Sequence, residues 1–148
     1  MTLYFDTSAL VKLFSKEQGS EYIQKQVLNA ENEIWVLELA NIELICAIYR
    51  KYRNREIPDF NLEPILSAID RQFQSLNSIA LASDIVNESH ALMAQFGKNH
   101  GLRTLDALQI AGFSLFAEPH WKFVSADKNQ LDVVEQLHYE IISVKNYV

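Results

Sequence analysis

Two short apolar runs in this chain end the same way. Leu3-Tyr4-Phe5 closes on Asp6, and Lys122-Phe123-Val124-Ser125 closes, after Ala126, on Asp127; each is followed at once by apolar residues at helical spacing. A buried strand that delivers a carboxylate at its carboxyl end and leads straight into a helix is the repeating half of a parallel α/β sheet. Glu33-Ile-Trp-Val-Leu37, a short run from Ile79 to Leu81, and Glu140-Ile-Ile-Ser-Val144 supply further strands, so strands and helices alternate along the chain. The expectation is one α/β domain over residues 1–148, with a central parallel sheet of four or five strands and helices on both faces. Ligands of such sheets bind just past the strand C-termini, which makes both aspartates candidates for chemistry. Asp and Ser are also favoured helix N-caps, so Asp6 or Ser8 has a plain structural use as well.

Two other acids lie in early helical turns. Across Leu39 to Asn54 the positions Leu39, Ile42, Ile45, Cys46 and Tyr49 form an apolar stripe, with Glu43 beside it and Arg50 on Glu43's face two turns on. In Gly101-Leu-Arg-Thr-Leu-Asp-Ala-Leu-Gln-Ile-Ala111, Thr104 reads as the N-cap and Asp106 falls in the first turn, while Ala107, Ala111 and Gly112 permit close packing on the sheet. Between these motifs, Asn61 and Pro64 signal one helix start, and Ser83 opens a helix with Ile85, Leu92, Met93 and Phe96 inward that ends around Gly97 and Gly101.

Composition narrows the function. A chain of 148 residues, 49% hydrophobic and 22% charged, has enough apolar surface for one core, and no stretch reaches the length of a membrane span. With Asp6 following the N-terminus so closely and no basic leader before it, a soluble, intracellular (cytoplasmic) protein is expected. The lone Cys46 excludes an intrachain disulfide and reads as a small buried residue; the histidines at 90, 100, 120 and 138 have no paired spacing for zinc. A formal charge of −6 argues against a broad basic groove for nucleic acid, and Arg50-Lys-Tyr-Arg-Asn-Arg55 is the one basic run.

Asp6, Glu43, Asp106 and Asp127 all enter a parallel sheet's crevice from the same side. Four carboxylates packed together would push one another toward protonation unless a divalent cation lay between them, and Mg2+ or Mn2+ suits oxygen-only ligands. Such a cluster fits metal-assisted phosphodiester hydrolysis, with Thr7, Ser8 and Ser125 as hydroxyls able to orient a carboxylate, a water or a phosphate, and Arg50 within reach of a phosphate. The four acidic stretches, Tyr-Phe-Asp6-Thr-Ser-Ala-Leu-Val-Lys-Leu, Asn-Ile-Glu43-Leu, Gly-Leu-Arg-Thr-Leu-Asp106-Ala-Leu-Gln-Ile-Ala and Val-Ser-Ala-Asp127-Lys, resemble in order and spacing the motifs of PIN-domain nucleases, the VapC-type toxins of prokaryotic toxin–antitoxin pairs above all. The resemblance spans Leu3 to Val144. It implies a PIN-like fold, Mg2+- or Mn2+-dependent RNA cleavage, a homodimer, and a small antitoxin whose tail covers the site. Two departures stand out: Glu38-Leu39-Ala40 where relatives carry Ser or Thr before the second motif, and Asn129-Gln130-Leu131 where they carry an aromatic after the fourth acid. A phosphoacceptor receiver domain and an Asp-nucleophile phosphatase both lack their second acid near Asp6, and no phosphate-binding Gly-rich loop is present. The remaining alternatives are a catalytically silent PIN module that binds RNA or protein, and a stand-alone housekeeping ribonuclease.

Overall fold

The computed structural model describes residues 1–148. Five strands, β1 (Thr2–Phe5), β2 (Glu33–Leu37), β3 (Asn77–Ile79), β4 (Lys122–Ser125) and β5 (Glu140–Ser143), form one sheet in the order β3-β2-β1-β4-β5, every neighbouring pair parallel. Seven helices connect them: α1 (Thr7–Leu10), prolonged by a 3-10 turn at Val11–Leu13, α2 (Ser20–Leu28), α3 (Leu39–Arg53), α4 (Asp59–Ser75), α5 (Ser83–His100), α6 (Thr104–Phe116) and α7 (Lys128–Gln136). No helix is long and apolar enough to cross a membrane.

The strand order follows from burial on both faces. Leu3, Phe5, Ile34, Val36 and Val124 point into one core with Ala9, Leu10, Ile23, Leu44, Ile48 and Ile69 of α1 to α4. Tyr4, Leu37 and Phe123 point the other way, into a core with Ile85, Phe96, Ile110, Phe113 and Val134 of α5 to α7. Alternate residues of one strand thus serve opposite cores, as the period of two dictates, and each fully buried Leu, Ile or Phe contributes about 1.5–3 kcal/mol. Right-handed crossovers then force the chain to build outward from β1 in one direction through β2 and β3 on the first face, and in the other through β4 and β5 on the second. The reversal lies between β1 and β4, where Leu3, Tyr4 and Phe5 pair with Lys122, Phe123 and Val124. That is the point at which an open sheet leaves a crevice past its strand ends.

Several local expectations shift. The apolar stripe predicted for α3 is not its buried side: Ala40, Leu44, Ala47 and Ile48 pack on the sheet, while Ile42 and Tyr49 are exposed. Cys46 is exposed too, against the expectation of a buried thiol. Ala40, Leu44 and Ile48 join the core on the first face of the sheet, and Ala47 is buried at the edge of the cleft. The third strand is Asn77–Ile79 rather than Ile79 to Leu81, α4 begins at Asp59 with Pro64 inside it, and α5 runs through Gly97 to end on Gly101 at φ +58. Met93, expected inward, is about two-fifths exposed, at 38%.

Candidate active site

Asp6 follows the last residue of β1 and caps α1, its Oδ1 accepting from the Ala9 amide at 3.0 Å. The same carboxylate accepts from Ser8 Oγ at 2.8 and 2.9 Å and, through Oδ2, from Ser125 Oγ at 2.9 Å. Ser125 is the last residue of the neighbouring β4, so the β1–β4 pairing itself brings that hydroxyl to Asp6. Ser8 ties the corner further, accepting from the Ala126 amide at 2.8 Å. The side chain of Asp6 is buried, and burial raises its pKa to about 7 even though the Ser8, Ala9 and Ser125 hydrogen bonds favour the anion; the Asp127 charge adds to the rise. A buried carboxyl that half-ionises near neutrality is poorly compensated by its own surroundings.

Asp127 caps α7, its Oδ1 accepting from the Asn129 and Gln130 amides at 2.8 and 3.3 Å, while its own amide donates to Ser125 Oγ at 2.9 Å. Both strand-end aspartates therefore are helix caps and face one crevice at the same time. Asp106 is the third residue of α6, and its Oδ2 accepts from the Arg103 amide at 3.2 Å and Arg103 Nε at 3.4 Å. The predicted Thr104 cap is thereby corrected: Arg103 takes the N-cap position, its amide satisfied by the Asp106 carboxylate at the third helical residue. Asp106 Oδ1 accepts from Gln130 Nε2 at 3.2 Å.

Glu43, on the second turn of α3, accepts from Gln109 Nε2 at 2.8 Å. Burial pushes its pKa up; hydrogen bonds from Gln109 and Thr7 pull it down, and the Asp106 charge raises it. At the head of the helix, Glu38 stands where a capping hydroxyl was expected to be missing. Its Oε1 accepts from the Leu81 amide at 2.7 Å and its own amide donates to the Ile79 carbonyl at 2.9 Å, so α3 is anchored to the end of β3 rather than capped by a hydroxyl.

These side chains line one cavity of ≈ 800 Å³, together with Arg50, and Ser125 lies beneath it through its bonds to Asp6 and Ser8. All of the predicted site residues are brought together there. No three of the acids stand close enough to share one ion as they lie, and each accepts from hydrogen-bond donors within the chain. The donor set nevertheless fits a hard divalent cation: it is oxygen only, one carboxylate is buried without a cationic partner, and Gln130 Oε1, beside Asp106, is buried with no hydrogen-bond partner at all.

Sequence reading missed several contributors. Gln109 drew notice only as part of the third motif and Gln130 only as part of the departure after the fourth acid, and neither was assigned a role. The cavity is also lined by Lys12, Arg50, Lys51, Arg103, Lys128 and Lys145, six of the thirteen basic residues, against five acids. Net charge hid this, since the six come from five separate elements or loops, only Arg50 and Lys51 sharing a helix. Lys12 is buried and donates to Glu17 at 3.1 Å, with Lys51 on the other Glu17 oxygen at 2.6 Å. Burial works against that charge, yet the two lysines hold the Glu17 carboxyl below its ordinary range.

The model of the PIN domain family matches residues 3–135. Among solved structures, the chain is similar to a toxin–antitoxin complex from Klebsiella pneumoniae (17% identity, 96% of this chain and 97% of that one, TM-score 0.64). It is similar also to VapBC2 from Rickettsia felis bound to a fragment of its promoter DNA (14%, 97% and 98%, TM-score 0.66) and to FitAcB from Neisseria gonorrhoeae (9%, 96% and 97%, TM-score 0.69). At these identities the likeness is one of fold. No curated relative matches the chain. A parallel sheet that reverses between β1 and β4, acids gathered at that reversal, and a family match over nearly the whole length lead to one assignment: the chain belongs to the PIN domain family.

Proposed function

We propose that this protein is a divalent-metal-dependent endoribonuclease, the toxin of a VapC-type toxin–antitoxin pair, acting in the cytoplasm as a homodimer restrained by a small antitoxin. The observation that carries the reading is the buried Asp6 carboxylate at the sheet's switch point, with Glu43, Asp106 and Asp127 on the walls of the same cleft. Likeness of fold to toxin–antitoxin complexes supports the partner; the oxygen-rich cleft supports the cation.

In this reading Asp6, Glu43, Asp106 and Asp127 would hold Mg2+ or Mn2+, which supplies the positive charge that lowers the pKa of a water and polarises a scissile phosphate. Ser8 and Ser125 keep Asp6 oriented through three hydroxyl contacts, so its oxygens have little rotational freedom to lose when they bind a ligand. Thr7 and Gln109 do the same for Glu43. Arg50, Lys128 and the outer lysines draw the RNA backbone to a cleft whose floor is acidic, and the exposed ones bind phosphate more readily than Lys12 and Lys51, which are engaged by Glu17.

One observation favours a second reading, a silent PIN module that binds RNA or protein: every carboxylate is already engaged by donors within the chain. Incubation of the pure protein with total cellular RNA, with and without Mn2+, decides between them. Fragments with defined ends that arise only with Mn2+ are the expected result; RNA bound but uncut at every metal concentration would leave the silent module. A gene for a small DNA-binding protein beside this one would favour the toxin over a housekeeping ribonuclease.

A further inference from the structure

Gln109 lies at the meeting point of three elements. It sits one turn beyond Asp106 on α6, is buried, and its carboxamide spans from the sheet to α3. At one end Oε1 accepts from the Tyr4 hydroxyl of β1 at 2.9 Å; at the other, Nε2 donates to Glu43 Oε1 at 2.8 Å and lies 3.3 Å from Thr7 Oγ1. The Tyr4 hydroxyl is also 3.0 Å from the Gln109 carbonyl, so it grips both the backbone and the side chain of one residue.

The amide can point only one way while Glu43 is an anion, because reversal would set a carbonyl oxygen against a carboxylate oxygen at 2.8 Å. Space for the Tyr4 hydroxyl is made by Gly112, the next residue along the same face of α6. A Cβ there would lie 3.3 Å from the Tyr4 oxygen and 3.0 Å from Leu37 Cδ1. The Tyr4 ring is itself wedged between Phe113 and Phe123, at centroid distances of 5.4 and 5.5 Å. A rigid aromatic core thus holds a hydroxyl, the hydroxyl holds an amide, and the amide holds Glu43.

We propose that Gln109, braced by Tyr4, is a positioning residue that fixes the Glu43 carboxylate for binding a divalent cation in the cleft. This inference rests on the metal-dependent reading above. Partners that orient a ligating carboxylate typically account for about ten- to a hundredfold in metal affinity. Gln109→Met keeps the length and burial of the side chain and removes both polar ends. Tyr4→Phe keeps the ring and removes only the brace, leaving the amide oxygen without the hydroxyl that anchors it.

The test is Mn2+ titration of the full chain, followed by calorimetry, for the wild type, Gln109→Met, Tyr4→Phe, Glu43→Ala and the double variant Gln109→Met/Glu43→Ala. Gln109→Met should weaken Mn2+ binding about tenfold or more and Tyr4→Phe by less, whereas Gln109→Met should add nothing once Glu43 is gone. A purely structural role would weaken binding equally in both backgrounds, and that result, or unaltered affinity in Gln109→Met, overturns the inference alone. A wild type that takes up no Mn2+ overturns it together with the reading beneath it. If Gln109→Met does not fold, Tyr4→Phe, alone and combined with Glu43→Ala, carries the same comparison.

Discussion

Asp6→Asn should stabilise the metal-free protein at alkaline pH, which is the reverse of what most substitutions of a buried, hydrogen-bonded residue do. Asp6 holds its proton up to about pH 7 in the folded chain and to 3.8 in the reference state. Between those values the folded protein binds more protons than the unfolded one, so stability falls as pH rises through the window and stays low above it. Roughly three pKa units at about 1.4 kcal/mol each set a ceiling of about 4 kcal/mol for the cost of ionised Asp6 at pH 8. Asparagine keeps an oxygen for the Ala9 amide and turns an NH2 toward hydroxyls that can rotate to accept, at a loss of about 1–2 kcal/mol. A net gain of roughly 2–3 kcal/mol follows at pH 8 in EDTA, shrinking steadily toward pH 4. Saturating Mg2+ should close the gap from the other side, by stabilising the wild type and not the variant. Urea unfolding of both proteins from pH 4 to 8, with EDTA and with Mg2+, measures each part. An Asp6→Asn protein no more stable than wild type at pH 8, or a difference that ignores pH, would refute the reasoning.

The remaining expectations concern catalysis, substrate and core. Asp106→Asn should abolish Mn2+-dependent RNA cleavage while leaving the circular dichroism spectrum and unfolding midpoint near wild type, and full cleavage by that variant would remove Asp106 from the site. Arg50→Ala should weaken RNA binding and lower the slope of log affinity against log salt by about 1; an unchanged slope would make Arg50 ordinary solvated surface. On α3, Leu44→Ala should cost about 2–5 kcal/mol and Ile42→Ala less than about 0.5, since only the first is buried. Equal costs in chemical denaturation would mean the helix faces the sheet with the other stripe.

How much of this was legible depends on the range of the interaction involved. The β1 and β4 strands, the acids at their ends and the doubly covered sheet could be read because each is signalled within a few residues, by an apolar run, an acid, then helical spacing. The face of α3 could not. Two apolar stripes compete on that helix, and the buried one, with Ala40, Leu44 and Ile48, is chosen by its tertiary partners rather than by its hydrophobicity. Cys46 went wrong because its neighbours Ile45 and Ala47 turn toward the core while the helix sets Cys46 itself on the cleft side. Gln109 and Gln130 take their meaning from partners 66 and 24 residues away, and the ring of six cations from elements spread along the chain. Neither contact has a local signature. The Glu38 departure, by contrast, was visible as an absence and proved to be a different anchor, a side chain bonded to the Leu81 amide across the top of the sheet.

Metal-dependent cleavage requires a cation in the cleft between Asp6, Glu43, Asp106 and Asp127, and anomalous diffraction from crystals grown with Mn2+ looks for it directly. The expected result is a manganese peak bounded by Asp6 and at least one more of these carboxylates, with Asp6 drawn off part of its Ser8 and Ser125 contact. Crystals that hold Mn2+ only elsewhere, with all four acids still on their present donors, would contradict it.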